Sequence, residues 1–75
     1  MPRSKAEESF IDQYTRSLTV EWADHMARYP DGMPLWERVA PVYFDHALAK
    51  GWITKREPHR LTAKGFQVAA SFLKR

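Results

Sequence analysis

Apolar and aromatic side chains recur at steps of three or four along the first part of the chain, and this stripe constrains the fold most. Its members are Ile11, Tyr14, Leu18, Trp22, His25 and Tyr29. At 100° per residue, all of them project within about 80° of one another, which is typical of an amphipathic helix. Ser4 and Glu7 can form a capping box at its start. The sequence therefore predicts an N-terminal helix or helix pair over residues 5–29.

The choice between one helix and two depends on the middle of that segment. Ser17, Thr19 and Val20 are weaker helix formers. Thr19 could therefore cap a second helix that begins near Val20. We favour one long helix, with room for a bend at this point.

A loop separates this helix from the next, because residues 29–34 contain two prolines around an Asp-Gly pair. Beyond the loop, a second apolar stripe predicts a helix over residues 34–50 that ends at Gly51. The stripe consists of Trp36, Ala40, Tyr43 and Ala47. Pro41 lies inside this pattern and removes a backbone donor, so the helix should kink or split there.

The last third of the chain predicts a β-hairpin followed by a third helix. The segments typical of paired strands are Trp52-Ile53-Thr54 and Arg60-Leu61-Thr62. With Pro58 in the polar turn between them, the predicted hairpin covers residues 52–62. Thr62 can then cap a helix over residues 63–74. The apolar face of that helix comprises Phe66, Ala69, Ala70 and Leu73.

The chain has 75 residues and no cysteine, so we expect one domain, residues 1–75, with a small core and no disulfide. A domain of this size compensates with large buried side chains or by association with a partner, and a homodimer is expected. The lack of cysteine favours a reducing cytoplasm. The sequence predicts neither a membrane span nor a secretory signal, because it lacks a long apolar run and an apolar N-terminal region.

Charge is divided unevenly along the chain. Residues 50–75 carry seven cations against the single anion Glu57, for a formal charge of +6, whereas residues 1–49 carry −3. A basic region next to an acidic one favours a polyanionic partner that faces the C-terminal third. The alternative is a solvated surface kept soluble by its lysines.

Two short motifs occur between residues 47 and 70. Their defining positions are Leu48, Gly51 and Ile53, then Leu61, Thr62 and Gly65. This order of helix end, hairpin and capped helix resembles the second half of the winged helix-turn-helix domains of the MarR and PadR families. The resemblance implies an α+β, mainly helical fold with a two-stranded wing and a C-terminal helix. Residues 34–50 would then be the recognition helix and residues 52–62 the wing.

The function that this resemblance implies is that of a small DNA-binding protein, a bacterial or phage transcriptional regulator that contacts double-stranded DNA. The predicted wing carries Lys55, Arg56, His59 and Arg60, and Lys64 follows it. These cations would contact phosphates. Lys50 would assist on the phosphate backbone, and Arg38 is the candidate for a base contact.

The alternative is a winged-helix protein–protein interaction module, for example a phage protein that inhibits a host complex. Apolar and acidic side chains on the second helix favour it, because Asp45 would repel a DNA backbone. Such a module would not read DNA.

The sequence contains no motif for catalysis or metal binding. Asp24-His25 and Asp45-His46 pair carboxylates with histidines, but their spacing matches no zinc-ligand motif. His25 also falls on the apolar stripe, where a hydrogen-bonded core histidine is the more common finding. A glycine-rich phosphate loop, a nucleophile elbow and a zinc helix are all missing. We therefore predict no metal, no cofactor and no enzymatic activity.

Overall fold

In the part of the chain that it describes, the computed structural model contains three helices joined by irregular segments. They are α1 (Lys5–Arg28), α2 (Pro41–Lys50) and α3 (Ala63–Leu73). The structure describes residues 3–30, 38–56 and 58–74. Both α2 and α3 pack against α1, which is the longest element. Within these ranges, no helix combines the length and the apolar character needed to cross a lipid bilayer.

Helix α1 is continuous through the residues at which a second helix could have begun. The Ser4 side chain caps it by accepting a hydrogen bond from the backbone N–H of Glu7 at 3.1 Å. Thr15 and Thr19 are both fully buried, and their hydroxyls donate to the carbonyls of Ile11 and Arg16 within the helix. Thr19 is therefore a core residue, and its hydroxyl is satisfied without ending the helix.

Helix α2 begins at Pro41, later than the predicted start of the second helix at residue 34. Proline is well suited to the first helical turn, where its missing N–H has no intrahelical partner to lose. Arg38 lies in a 3₁₀ turn before the helix, and the backbone N–H of Tyr43 donates to the Ala40 carbonyl at 3.0 Å. Residues 34–37 of the predicted recognition helix lie outside the described ranges. Within the described part of the predicted helix, residues 38–40 lie outside α2, so the helix is interrupted at Pro41.

The predicted α+β winged helix-turn-helix fold is wrong, because residues 52–62 do not form a two-stranded wing. Ile53 and Leu61 make one isolated antiparallel bridge, and no strand occurs in the part of the chain that the structure describes. Two backbone hydrogen bonds flank this bridge, from Thr54 N–H to the Arg60 carbonyl at 2.8 Å and from Thr62 N–H to the Trp52 carbonyl at 3.0 Å.

Side chains end this pairing after a single bridge. The Arg60 N–H donates to the hydroxyl of Thr54 at 3.0 Å, and the Thr54 carbonyl lies 2.7 Å from Nδ1 of His59. Both backbone groups are therefore occupied locally and cannot extend a ladder. Pro58 has no N–H to contribute to one.

The core lies where the bridge meets α1 and α2. Its buried members are Leu18, Trp22, Ala47, Trp52, Ile53 and Leu61. Helix α3 adds Ala69 and Gly65. A Cβ atom at Gly65 would lie 2.2 Å from the Trp52 carbonyl oxygen, so α3 can approach this backbone only with glycine there.

Candidate nucleic-acid interface

The cations predicted to contact DNA cluster in one segment, which we call the basic segment. It comprises Lys50, Lys55, Arg56, Arg60 and Lys64, all of which are exposed. Lys50 ends α2, Lys64 lies in the first turn of α3, and the remaining three lie in the irregular segment between these helices. Two helix ends and the buried bridge therefore determine where these charges project.

The end of α2 is defined by Gly51, which adopts the left-handed conformation with φ of 76°. The Gly51 N–H donates to the Leu48 carbonyl at 3.1 Å, and the Trp52 N–H donates to the Ala47 carbonyl at 3.0 Å. This is the hydrogen-bond pattern of a Schellman motif. It turns the chain so that Trp52 enters the core directly after the exposed Lys50.

The start of α3 is tied to the end of α2 by one hydroxyl. Thr62 accepts from the Gly65 N–H at 3.1 Å as the N-cap of α3, and it donates to the Gly51 carbonyl at 2.6 Å. Lys50 precedes this junction and Lys64 follows it. The junction therefore brings the two outer members of the basic segment to the same end of the molecule.

His59 anchors the irregular segment, although the sequence suggested a phosphate contact for it. Its Nδ1 donates to the Thr54 carbonyl at 2.7 Å, since a carbonyl can only accept. Its half-buried ring packs edge-on against Phe44, with ring centroids 4.9 Å apart. These contacts connect the segment to α2.

Arg60 connects the basic segment to the end of α1. Both of its terminal nitrogens lie 3.4 Å from the carbonyl oxygen of Pro30, so these contacts are long and exposed. Next to it, the Leu61 N–H faces the sulfur of Met26 at 3.4 Å. The partner of the Arg60 guanidinium in these contacts is thus a neutral carbonyl and not a carboxylate.

The members of the basic segment have no carboxylate partner among the described residues, whereas two arginines on α1 do. Arg16 pairs with Asp12 at 2.7 Å and Arg28 pairs with Asp24 at 3.3 Å, both on α1. Glu57, the one acidic residue in this stretch of the sequence, lies outside the described ranges. Lys50 and Lys55 also border one shallow depression of about 450 Å³. The segment presents concentrated positive charge that the described part of the fold leaves uncompensated.

Arg38, the candidate for a base contact, is not brought to the basic segment by any contact of the described residues. It is exposed and precedes α2, whereas Lys50 ends that helix. A helix of this length separates its two ends by about 15 Å. On α2 itself, the exposed positions include Pro41, Asp45 and Ala49, none of which donates a hydrogen bond from its side chain to a base edge.

Two cations that the sequence analysis did not single out lie near Lys50. Arg3 and Lys5, at the start of α1, line a groove of about 710 Å³ together with Lys50. The carboxylates of Glu8 and Asp45 line the same groove, so its charge is mixed. The position of Arg3 and Lys5 on either side of the N-cap Ser4 gave no indication of this proximity, which depends on how α1 packs against α2.

Asp12, which also lines that groove, links α1 to α2. Its carboxylate lies 3.0 Å from Nε2 of His46 and 2.7 Å from Nε of Arg16, and the Arg16 guanidinium sits 5.3 Å from the Trp52 ring. Burial acts to raise the pKa of Asp12, but the hydrogen bonds from His46 and Arg16 outweigh it, so that pKa lies below its ordinary value. Among the residues with described positions, no three metal-binding side chains cluster.

No family model, curated protein or solved structure matches this chain. The resemblance to winged helix-turn-helix domains therefore depends only on the short motifs in residues 47–70. The function has to be inferred from the charges and contacts of the site.

Proposed function

We propose that this protein binds the phosphate backbone of double-stranded DNA through its basic segment, without reading the base sequence. One observation carries the proposal. The five exposed cations of Lys50–Lys64 have no carboxylate partner among the described residues, although the other half of the chain is rich in carboxylates. Unpaired cations on a surface favour a polyanionic partner.

The anchoring of the segment supports this proposal energetically. Trp52, Ile53 and Leu61 are buried, and the Thr54 and His59 hydrogen bonds close the chain between them. These contacts hold the described backbone on both sides of the charges without DNA, and a conformation held in this way reduces the entropy lost on binding. Each phosphate that is neutralised releases counterions, and this release supplies most of the affinity.

The composition of α2 supports binding without base specificity. Sequence is read mainly by Arg, Lys, Asn or Gln side chains placed on base edges in the major groove. The exposed face of α2 instead carries Pro41, Asp45 and Ala49, and its one exposed cation, Lys50, is the last residue of the helix. Contacts to phosphates alone fix the position of a protein on the duplex, so we expect similar affinity for unrelated sequences. A regulator of this type would act by occupying duplex DNA.

The test is a titration with random-sequence duplex DNA at several salt concentrations between about 50 and 200 mM. We expect the logarithm of the affinity to fall linearly with the logarithm of the salt concentration. The double variant Lys55→Gln/Arg56→Gln should reduce the magnitude of that slope by about two, since each lost phosphate contact removes nearly one.

The matched control is Arg28→Gln, which removes an exposed arginine that is paired with Asp24. Its slope should equal that of the wild type. A wild-type protein with no salt-sensitive binding at the lowest salt overturns the proposal. Arg28→Gln removes one charge and the double variant removes two, so a control that loses about half as much slope as the double variant would show that only net charge matters, and this outcome also contradicts a role for the segment.

A second candidate function, a protein-interaction module, is favoured by the exposed apolar side chains. Phe10, Tyr14, Phe66 and Leu73 are all exposed on helices. Large apolar groups on a small domain often mark a binding surface for protein. The salt titration discriminates the two functions, because an apolar interface does not produce binding to random duplexes that weakens steeply with salt.

A further inference from the structure

Helices α1 and α2 pack in antiparallel directions. The rings of Tyr14 on α1 and Tyr43 on α2 lie with their centroids 4.5 Å apart, and the Asp12 carboxylate lies 3.0 Å from Nε2 of His46. The earlier of these two α1 residues therefore contacts the later of the two α2 residues. Continued in this direction, the packing brings the start of α1 to the end of α2.

Three cations at the start of α1 and the end of α2 line one groove. Lys5 lies about two helical turns before Asp12 and about 20° from it around the axis of α1. Lys50 lies one turn after His46 on α2. Arg3, Lys5 and Lys50 all line the groove of about 710 Å³. Lys50 thus connects the basic segment to two further cations that are distant from it in sequence.

The ion pairs of α1 do not include Arg3 and Lys5. Both residues are exposed, and neither forms an ion pair with any described residue, whereas Arg16 and Arg28 on the same helix are paired with carboxylates. Arg3 and Lys5 lie on either side of the N-cap Ser4, where the positive end of the helix dipole disfavours cations. These two charges are therefore available to an anionic partner and are not needed to stabilise α1.

We propose that the phosphate backbone of bound DNA continues from the basic segment across Lys50 to Lys5 and Arg3, so that the start of α1 is a second part of the DNA contact. This inference rests on the proposed function and adds contacts from another part of the chain. Each additional phosphate contact releases further counterions and steepens the dependence of the affinity on salt.

Two carboxylates in the same groove act against an anionic backbone. Glu8 and Asp45 line the groove, are exposed and have no ion-pair partner among the described residues. Asp12, the other carboxylate of the groove, is held by His46 and Arg16. Three cations therefore lie near two unpaired carboxylates, and the balance of these charges is positive. Removal of a carboxylate here should strengthen DNA binding, which gives a test of opposite sign.

The first test is the salt titration of the whole chain with random-sequence duplex DNA. The variant Arg3→Gln/Lys5→Gln should reduce the magnitude of the salt slope by about two, as expected for two lost phosphate contacts. The control Arg28→Gln/Lys74→Gln loses the same formal charge at the end of α1 and the end of α3, and its slope should equal that of the wild type. All four positions are exposed, so we expect the fold to be retained, as checked by circular dichroism.

The second test compares two glutamates on α1. Glu8→Gln should raise the affinity for the duplex by about threefold at 50 mM salt, because it removes a repulsion within the groove. Glu21→Gln is the matched control, since Glu21 is exposed, has no ion-pair partner among the described residues and lies about 160° around α1 from Lys5. Its affinity should stay close to that of the wild type.

The outcomes separate this inference from the function on which it rests. A wild-type slope that falls in Lys55→Gln/Arg56→Gln but not in Arg3→Gln/Lys5→Gln overturns the second contact and leaves the basic segment in place. Equal losses of slope in Arg3→Gln/Lys5→Gln and its control, or equal gains of affinity in the two glutamate variants, also overturn it. A wild-type protein without salt-sensitive binding overturns the inference together with the proposed function.

Discussion

Two regions of this molecule differ in whether their charged side chains have partners within the protein. At the contact of α1 with α2, the Asp12 carboxylate lies within hydrogen-bonding distance of both Arg16 on its own helix and His46 on α2, so it joins the two helices. In the basic segment, five exposed cations have no carboxylate partner in the described part of the chain. Charge that is satisfied internally contributes to folding, whereas charge left open is available to a partner. Mutations at the Asp12 contact should therefore lower the free energy of unfolding, and mutations in the basic segment should lower the affinity for DNA.

The largest loss of stability should come from a substitution of Gly65, where α3 packs against the backbone of Trp52. In Gly65→Ala, the new Cβ would clash with the Trp52 carbonyl oxygen and push α3 off the bridge. We expect a loss of about 2–3 kcal/mol in the free energy of unfolding, measured by urea denaturation.

Gly51→Ala is the matched control for this prediction. Its Cβ would meet no atom within 4 Å, but its positive φ strains an L-residue. That strain should cost about 1 kcal/mol. Equal losses in the two variants would contradict the close approach of α3 to Trp52.

A smaller effect is expected at Asp12. Asp12→Ala removes both hydrogen bonds and should cost about 1–2 kcal/mol in unfolding free energy at neutral pH. Because the folded state lowers the pKa of Asp12, its stabilisation is present above the unfolded pKa of about 4 and is lost as the pH falls through the folded value. The difference between wild type and variant should therefore shrink when urea denaturation is repeated at pH 3.

Asp45→Ala serves as the control, since Asp45 is exposed on α2 and has no ion-pair partner among the described residues. Its unfolding free energy should change by less than about 0.5 kcal/mol at either pH. A difference between wild type and the Asp12 variant that persists unchanged at low pH would refute the charge-based account.

The smallest change in unfolding free energy should come from His59. This variant tests whether His59 holds the segment in place or contacts phosphate. His59→Ala removes the hydrogen bond to the Thr54 carbonyl and the packing on Phe44, at a cost of about 1 kcal/mol in stability. The magnitude of its DNA salt slope should equal that of the wild type. A slope reduced by about one would instead make His59 a phosphate contact, as the sequence suggested.

Sequence reasoning succeeded best for the helices and their ends. The caps at Ser4, Gly51 and Thr62 lie where the residue types indicated, because capping is decided within one helical turn. Sequence reasoning failed for the wing. Strand propensity in residues 52–62 does not show which side chains will form hydrogen bonds with the backbone groups that a β-ladder needs. Thr54 and His59 take the hydrogen bonds that a second pair of residues would need.

The candidate site was predictable in part. Lys50, Lys55, Arg56, Arg60 and Lys64 were identified from the charge run, because neighbours in sequence remain neighbours in a short connecting segment. The roles of individual members were not predictable. His59 became an anchor through Phe44, and Arg3 and Lys5 approached Lys50 through helix packing. Each of these outcomes depends on contacts between residues far apart in the chain.

Local sequence was enough to predict the three helices of the described residues, the caps at Ser4, Gly51 and Thr62 and the separation of charge, because periodicity, capping and composition are local properties. Tertiary structure alone decided that Thr19 is buried, that Asp12 reaches His46 across 34 positions, and that Ile53 pairs with Leu61 only once. The physical reason is that several groups compete for each hydrogen-bond partner in the folded chain. Each buried polar group takes the nearest partner that the packed chain offers, and that partner exists only after the helices have met.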